Sequence, residues 1–192
     1  MNIVRRIKYD GSRNTLINIS KKFSSYIFRK SKTMFLELKL PCEYIFQEHF
    51  CFKEIQKPSE LLNLDLNEVN KLLDCSGKCI CLYVKNELVG YCWYFTDTYT
   101  VKGVSTIDLE ARNAIWVGPA FIAKSYRSKG YNKQLIKFVL ANCTTKKHAR
   151  ALTSINSDNK PSINSFLNMG FKSVFYYKSS YFFGISKVKG PF

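Results

Sequence analysis

What this chain lacks narrows its class before any motif is read. No stretch approaches the roughly eighteen consecutive apolar residues that a membrane-crossing helix needs. The first thirty residues are basic but have no continuous apolar run and no small-residue cleavage site, so no secretory signal is expected. Internal repeats and low-complexity tracts are missing, and 46% of the residues are hydrophobic and 15% aromatic, which sets the chain apart from disordered and fibrous proteins. Histidine is scarce: His49 and His148 are the two, and they stand apart. Cys75, Cys79 and Cys81 therefore have no obvious fourth partner for zinc, and no metal is expected. Seven cysteines without a repeated Cys-x-x-Cys pair fit a reducing, cytoplasmic setting, in which Cys79 and Cys81 act as small apolar residues alternating with Ile80 and Leu82.

Negative charge is the scarcest commodity in the second half. From residue 111 onward the single carboxylate is Asp158, against fourteen lysines and arginines. Residues 1–32 hold nine basic residues and one acid, Asp10, whereas residues 33–110 hold seven basic and twelve acidic ones; the whole chain carries +16. A surface so basic favours polyanions: phosphorylated cofactors, nucleic acid or anionic lipid headgroups. At 192 residues the chain suits one domain with a short appendage.

Leu16, Ile19, Phe23, Tyr26 and Ile27 fall at helical spacing within the basic stretch 14–30, an amphipathic helix that either packs on its own domain or meets a membrane or partner. The expected organisation is thus a basic arm over residues 1–32 and a folded domain over 33–192. Strands are expected over 33–40 and 44–55, and helical segments over 58–66 and 67–73. A hairpin of strands 78–85 and 88–96 should turn at Asn86-Glu87, and residues 97–113 read as a loop. Then come a strand over 114–123, a helix over 129–142, a strand over 151–155, and a helix over 160–169 stopped by Gly170. Residues 171–177 and 181–187 read as a closing antiparallel pair. A helical crossover joins the strands at 114–123 and 151–155, so these two should lie parallel. The fold class is α/β (α+β): a mixed, mostly antiparallel sheet around one parallel pair.

Chemistry concentrates in Phe121-Ile-Ala-Lys-Ser-Tyr-Arg-Ser-Lys-Gly-Tyr-Asn-Lys-Gln-Leu-Ile136. A strand leaves the core, passes a polar turn containing Gly130 and enters a helix. The first amides of a helix have no partner within it and point outward with the positive end of its dipole, an arrangement that binds phosphate. Arg127, Lys129 and Lys133 add positive charge nearby.

Arg127-x-x-Gly130-x-Asn132 resembles the Arg/Gln-x-x-Gly-x-Gly/Ala turn of the GNAT superfamily of acyl-CoA-dependent N-acyltransferases. Asn159-x-x-Ser162, followed by Phe166 and Gly170-Phe171, is similar to that superfamily's later signature, and the resemblance spans about Phe50 to Lys187. It implies a splayed parallel strand pair with helices on both faces of the sheet, and acetyl-CoA as co-substrate. By the same resemblance Phe121, Ile122 and Ala123 would pair with the pantetheine arm, and the amides of Arg127, Ser128, Lys129, Gly130, Tyr131 and Asn132 would hold the pyrophosphate. Asn159 and Ser162 would face the cofactor, and Phe166 would pack near the thioester. A neutral amine would attack the thioester directly, with a backbone N–H of the fourth core strand stabilising the developing oxyanion.

Three departures touch the chemistry. Asn132 replaces the usual small residue of the turn. Phe166 stands where many members carry a proton-donating tyrosine, a role left to Tyr176, Tyr177, Tyr181 or water. Trp116 and Gly118 occupy the positions where members often have a glutamate or histidine base, so a carboxylate base would come from Asp97, Asp108 or Glu110, or the amine would lose its proton through ordered water. Gly118-Pro119 within a strand is also unusual, because proline donates nothing to a ladder.

The segments 26–40, Val89-Gly-Tyr-Cys-Trp-Tyr94 and Lys129-Gly-Tyr-Asn132 resemble GNAT proteins of bacterial surface-polysaccharide pathways, which implies an amino-sugar acceptor, often nucleotide-linked. The other acceptors to consider are aminoacyl-tRNA, which would make RNA a partner, or a protein amine; a non-catalytic binding module is the remaining alternative. A cytoplasmic protein, with peripheral contact to the inner membrane face through residues 1–32, is the expected location.

Overall fold

Local alternation builds the framework that the site needs. The structure is a computed structural model and describes residues 28–41, 50–55, 76–101, 105–142, 148–182 and 185–189. Its strands are β1 (Phe28–Lys39), β2 (Cys51–Ile55), β3 (Lys78–Val84), β4 (Glu87–Phe95), β5 (Thr98–Val101), β6 (Ser105–Asp108), β7 (Ala114–Ile122), β8 (Arg150–Asn156), β9 (Lys172–Phe182) and β10 (Ile185–Lys189). Two helices, α1 (Tyr131–Asn142) and α2 (Lys160–Leu167), follow β7 and β8. Eight strands form one sheet in the order β10-β9-β1-β8-β7-β4-β3-β2, while β5 and β6 form a separate hairpin. The β7–β8 pair is parallel and the other described pairs are antiparallel.

The β3–β4 hairpin turns at Lys85 and Asn86, whose φ angles of 51° and 66° both lie in the left-handed region. That is the two-residue turn whose twist matches its strands, and asparagine suits it. Gly90 on β4 allows a close approach to β7: a Cβ there would lie 2.4 Å from Phe121 O. At the far end of α2, Gly170 takes φ +95° and the amides of Gly170 and Phe171 bond back to Leu167 O and Phe166 O. This closes the helix in the way expected of a glycine just past its end. The Phe166 and Phe171 rings meet edge to face at 4.9 Å across that closure.

The sheet is buried on both faces. On one, Leu36, Ile80, Leu82, Ile115 and Val117 pack against Leu135, Ile136, Val139 and Leu140 of α1 and Ile163 and Phe166 of α2. Each of those helix side chains contributes about 2 kcal/mol by burial. On the other face Phe35, Trp93, Phe95, Trp116 and Tyr177 pack with Val101 and Leu109 from the hairpin region. Cys79 and Cys81 lie buried in that second cluster; the hydrogen bond to Cys81, with burial, pushes the Cys79 thiol up so that it stays protonated. Among the described residues both helices lie on one face, and the β5–β6 hairpin covers part of the other.

Several expectations change. Residues 97–113 are not a plain loop: Thr98–Val101 and Ser105–Asp108 pair as a hairpin. Phe28–Lys30, expected at the end of a helix, are strand, because β9 offers an edge with which Phe28 to Glu37 pair. Tertiary pairing outweighs helical spacing there. The boundary drawn at residue 32 therefore falls inside β1. β9 runs on to Phe182 instead of ending at Tyr177, so Tyr181 belongs to it. Residues 14–27 of the expected helix, the strand residues 44–49 and the helices over 58–73 lie outside the described residues.

Candidate active site

The site arises where β7 stops pairing with β8. The parallel register holds for Ala114↔Arg150, Ile115↔Ala151 and Trp116↔Leu152 and then ends. On its other edge β7 stays with β4 as far as Gly90↔Ile122, but Tyr94↔Val117 is followed by Cys92↔Ala120. Gly118 and Pro119 thus oppose Trp93 alone, which is a β-bulge, and bulges bend the strand that carries them. Gly118 sits at φ +118°, where a side chain is strained, and Pro119 has no N–H to offer a ladder. The unusual Gly-Pro pair is the bend itself.

A cleft of about 240 Å³ opens between the diverging strands. Val117, Ala120, Thr153 and Asn156 supply its strand walls, with Asn132 and Phe166 from the two helices. Tyr99 and Trp116 line it too, and they belong to the face away from the helices, so the cleft passes through the sheet. Their rings stack at 4.2 Å and 14°. The backbone bond from Ala123 N–H to Val89 O, 2.9 Å, sets the phase of the β4–β7 ladder. By alternation Phe121 turns its N–H and C=O to β4, whereas Ala120 and Ile122 turn theirs toward the opening.

Beyond β7 a single 3₁₀ turn (Lys124–Tyr126) leads into the start of α1. Tyr126 donates a short hydrogen bond to Glu87, and this bond holds its phenol above the ordinary tyrosine range. Arg127 donates from Nε to Ile122 O at 3.0 Å and lies 5.7 Å from the Phe121 ring, so its side chain folds back onto the strand end. Ser128 and Gly130 take φ of 63° and 80°. The helical ladder begins with Gln134 N–H bonding to Gly130 O at 3.2 Å, which leaves the amides of Tyr131, Asn132 and Lys133 ahead of it. A Cβ added to Gly130 would meet nothing within 4 Å, so the turn faces open space.

A model of the acetyltransferase (GNAT) family matches residues 39–171. The chain belongs to the GNAT acetyltransferase family. Solved structures with the same fold include a putative GNAT acetyltransferase from Novosphingobium aromaticivorans, at TM-score 0.54 and 11% identity over 79% of this chain and 63% of that one. Another is a GCN5-related N-acetyltransferase from Sphaerobacter thermophilus, at TM-score 0.55 and 9% identity over 88% and 56%. A third is a GCN5-related glucosamine N-acetyltransferase region of a fungal multi-domain GH3 β-N-acetylglucosaminidase, at TM-score 0.58 and 11% identity over 86% and 22%. The chain therefore spans less than two thirds of these proteins, and at such identities the likeness is one of fold. No curated protein sequence matches.

GNAT enzymes use acetyl-CoA, and the sequence-expected cofactor residues fall in the cleft wall, in the turn with Arg127, and at the end of β7. Asn132, Asn159, Ser162 and Phe166 line the cleft. Ser128, Lys129, Gly130 and Tyr131 lie in the turn and first residue of α1 at its side, where Tyr131 is anchored edge to face against Phe50 at 5.7 Å. Asn159 also caps α2, accepting from Ser162 N–H at 3.3 Å, which adds a structural duty to its place on the wall. Phe121 and Ala123 turn their backbone to β4, so Ala120 and the Ile122 N–H present polar groups to the opening, the Ile122 carbonyl being taken by Arg127.

The catalytic candidates are not in the cleft. Asp97, Asp108 and Glu110 are exposed in and around the hairpin, and Asp108 accepts from Ala111 N–H at 2.8 Å as a turn cap. Tyr177 is buried on the face away from the helices. Trp116 and Gly118, at the positions of the family's usual bases, do line the cleft. Among the described residues its lining contains no carboxylate or histidine. Sequence reasoning missed Tyr99, Thr153 and Asn156. The polar–apolar alternation of Thr98-Tyr-Thr-Val101 was the available signal for the first.

Proposed function

We propose that this chain is an acetyl-CoA-dependent N-acetyltransferase acting on the amine of a small acceptor, an amino sugar or nucleotide-linked amino sugar. One observation carries the reading: a cleft between opened parallel strands adjoins a helix start whose leading amides lie outside the helical ladder. The fit to the cofactor is good. Pyrophosphate would meet the amides at Gly130 to Lys133, where a Cβ on residue 130 would find open space. The pantetheine arm would run along β7 and bond to the backbone of Ala120 and Ile122. Phe166 would pack beside the thioester.

The amine, presented from the Tyr99–Trp116 side, would attack the thioester carbonyl carbon as its C–S bond breaks, and the departing sulfur would take a proton. A β7 amide at the bulge would stabilise charge on the carbonyl oxygen. With no carboxylate or histidine among the described lining residues, the amine's proton would leave through water, and positioning supplies the acceleration. Half-buried Tyr99, backed by the buried Trp116 ring, would offer the apolar surface against which a sugar ring or base packs. The surface-polysaccharide setting rests on the sequence resemblance in residues 89–94 and 129–132.

The test is a screen for CoA release with amino sugars, nucleotide-linked amino sugars, aminoacyl-tRNA and peptide amines. Release with an amino sugar, its KM raised by Tyr99→Ala while that for acetyl-CoA is unchanged, supports the proposal. Release with aminoacyl-tRNA or peptide alone replaces the acceptor class, and none at all points to a binding module.

A further inference from the structure

Three lysines stand in one row across the outer strands. Lys32 on β1 is opposite Lys178 on β9, and Lys178 is in turn opposite Lys189 on β10. Directly opposed residues of antiparallel strands project from the same face, and like charges so placed repel. All three are exposed. Lys30, two residues from Lys32, shares the face. The strands β1, β9 and β10 hold a single carboxylate among them, Glu37, which lies on the opposite face and pairs with Arg150 at 3.8 Å. Asp158, following Ser157 in the turn that bonds to Lys32 O, is a lone negative charge at one end of the row.

We propose that this lysine face is a docking surface for anionic lipid headgroups of a membrane. The charges stand on an open strand face across three paired strands, which suits a plane of headgroups better than a groove-bound strand of nucleic acid. One exposed aromatic side chain of β9, Tyr176 at 41%, stands beside them on the same face, as suits a membrane interface. The Lys32 ammonium sits 4.1 Å over the Tyr176 ring, so that ring face is already covered and unsuited to stacking a base. The chain enters β1 from a stretch in which the basic residues Lys21 and Lys22 accompany apolar Leu16, Ile19 and Phe23. Asn156 lines the cleft and the next residue, Ser157, bonds to Lys32 O, so docking brings the cleft beside the lipid.

The test compares two variants of equal charge in the full chain. One carries Lys32→Gln, Lys178→Gln and Lys189→Gln; the other carries Lys53→Gln, Lys78→Gln and Lys85→Gln at the opposite side of the sheet. Wild type should sediment with vesicles of phosphatidylcholine and phosphatidylglycerol, less so as salt rises, and not with phosphatidylcholine alone. The row variant should lose on the order of a hundredfold in partitioning, at an unchanged melting temperature, and Lys178→Gln alone about fivefold. The opposite-edge variant should lose far less. Equal loss in both triple variants would mean net charge alone acts and would overturn the proposal. So would failure of wild type to bind the anionic vesicles. Binding to single-stranded RNA without vesicle binding, lost in the row variant, would make this a nucleic-acid face and overturn it equally.

Discussion

The two halves of β7 belong to one nine-residue strand and have opposite fates. From Ala114 to Trp116 the strand is held by β8 on one edge and runs beside β4 on the other, and its residues are buried at 2% exposure or less. From Gly118 onward it keeps β4 alone, and its other edge walls a cleft. One bulge, made by a glycine at positive φ and a proline without an N–H, separates the halves. The lesson is that this site was built by withholding pairing. A parallel strand normally spends its polar backbone on both neighbours, and here half of it is left to bind something else.

Breaking the closed half should produce the largest change. Ile115→Ala removes a fully buried side chain between the sheet and α1, so it should destabilise the fold by about 3 kcal/mol, read as a fall in the denaturant midpoint. Ala120→Ser in the open half should change stability by less than about 0.5 kcal/mol, since the position is exposed. Similar losses at the two positions would mean the halves are packed alike and the cleft is not a real discontinuity.

The turn that continues the open half is tested with acetyl-CoA, the cofactor proposed to bind there. Acetyl-CoA at a hundred times its Kd should add about 2.7 kcal/mol to stability, visible as a raised melting temperature. Gly130→Asp places a side chain and a negative charge in the open space beside the turn, and should abolish that rise. A mutant whose shift matched wild type would place the pyrophosphate elsewhere.

Smaller effects are expected from the acids around the hairpin. Asp97→Ala, Asp108→Ala and Glu110→Ala should each lower kcat/KM by less than about tenfold, because none lines the cleft. A loss on the order of a hundredfold or more at one of them, with the fold intact, would identify a base and end the water-mediated reading.

The smallest effect concerns the link between β4 and the turn. Tyr126 is bound to Glu87 and its pKa is raised. Stability from this contact is therefore present below the ordinary tyrosine value of about 10 and lost as pH rises through the higher folded value. An ultraviolet titration should show one phenol ionising late, and Glu87→Gln should bring it back toward the ordinary range. Unchanged titration in that variant would remove Glu87 as the cause.

Much of the site was readable because its signals are local. Gly130 after Arg127, and Gly170-Phe171 after Phe166, are turn and helix-end chemistry set by a few adjacent residues, and the described helices begin and end within two residues of expectation. Gly118-Pro119 was visible as an oddity, but whether it ended the strand or bent it depended on Trp93 lying opposite. Tyr99 was hidden because a strand of four residues, with its partner across a short connection, leaves little periodic pattern. Trp116 and Gly118, at the positions where the resemblance expects a base, line the cleft but carry no group able to take a proton.

By itself the sequence determined the mixed sheet with one parallel pair, the glycine turn into a helix at Arg127 to Asn132, and the family they imply. These rest on hydrogen-bonding geometry and side-chain period, which act over a few residues. Only the tertiary structure decided that Phe28–Lys32 join β9, that Ala120 and Ile122 carry the open backbone edge, and that Lys32, Lys178 and Lys189 share a row. Such facts depend on register between segments as much as 154 residues apart, as in the pairing of Phe28 with Phe182. Register is a property of strands meeting, because a slip of one residue sends every side chain to the other face.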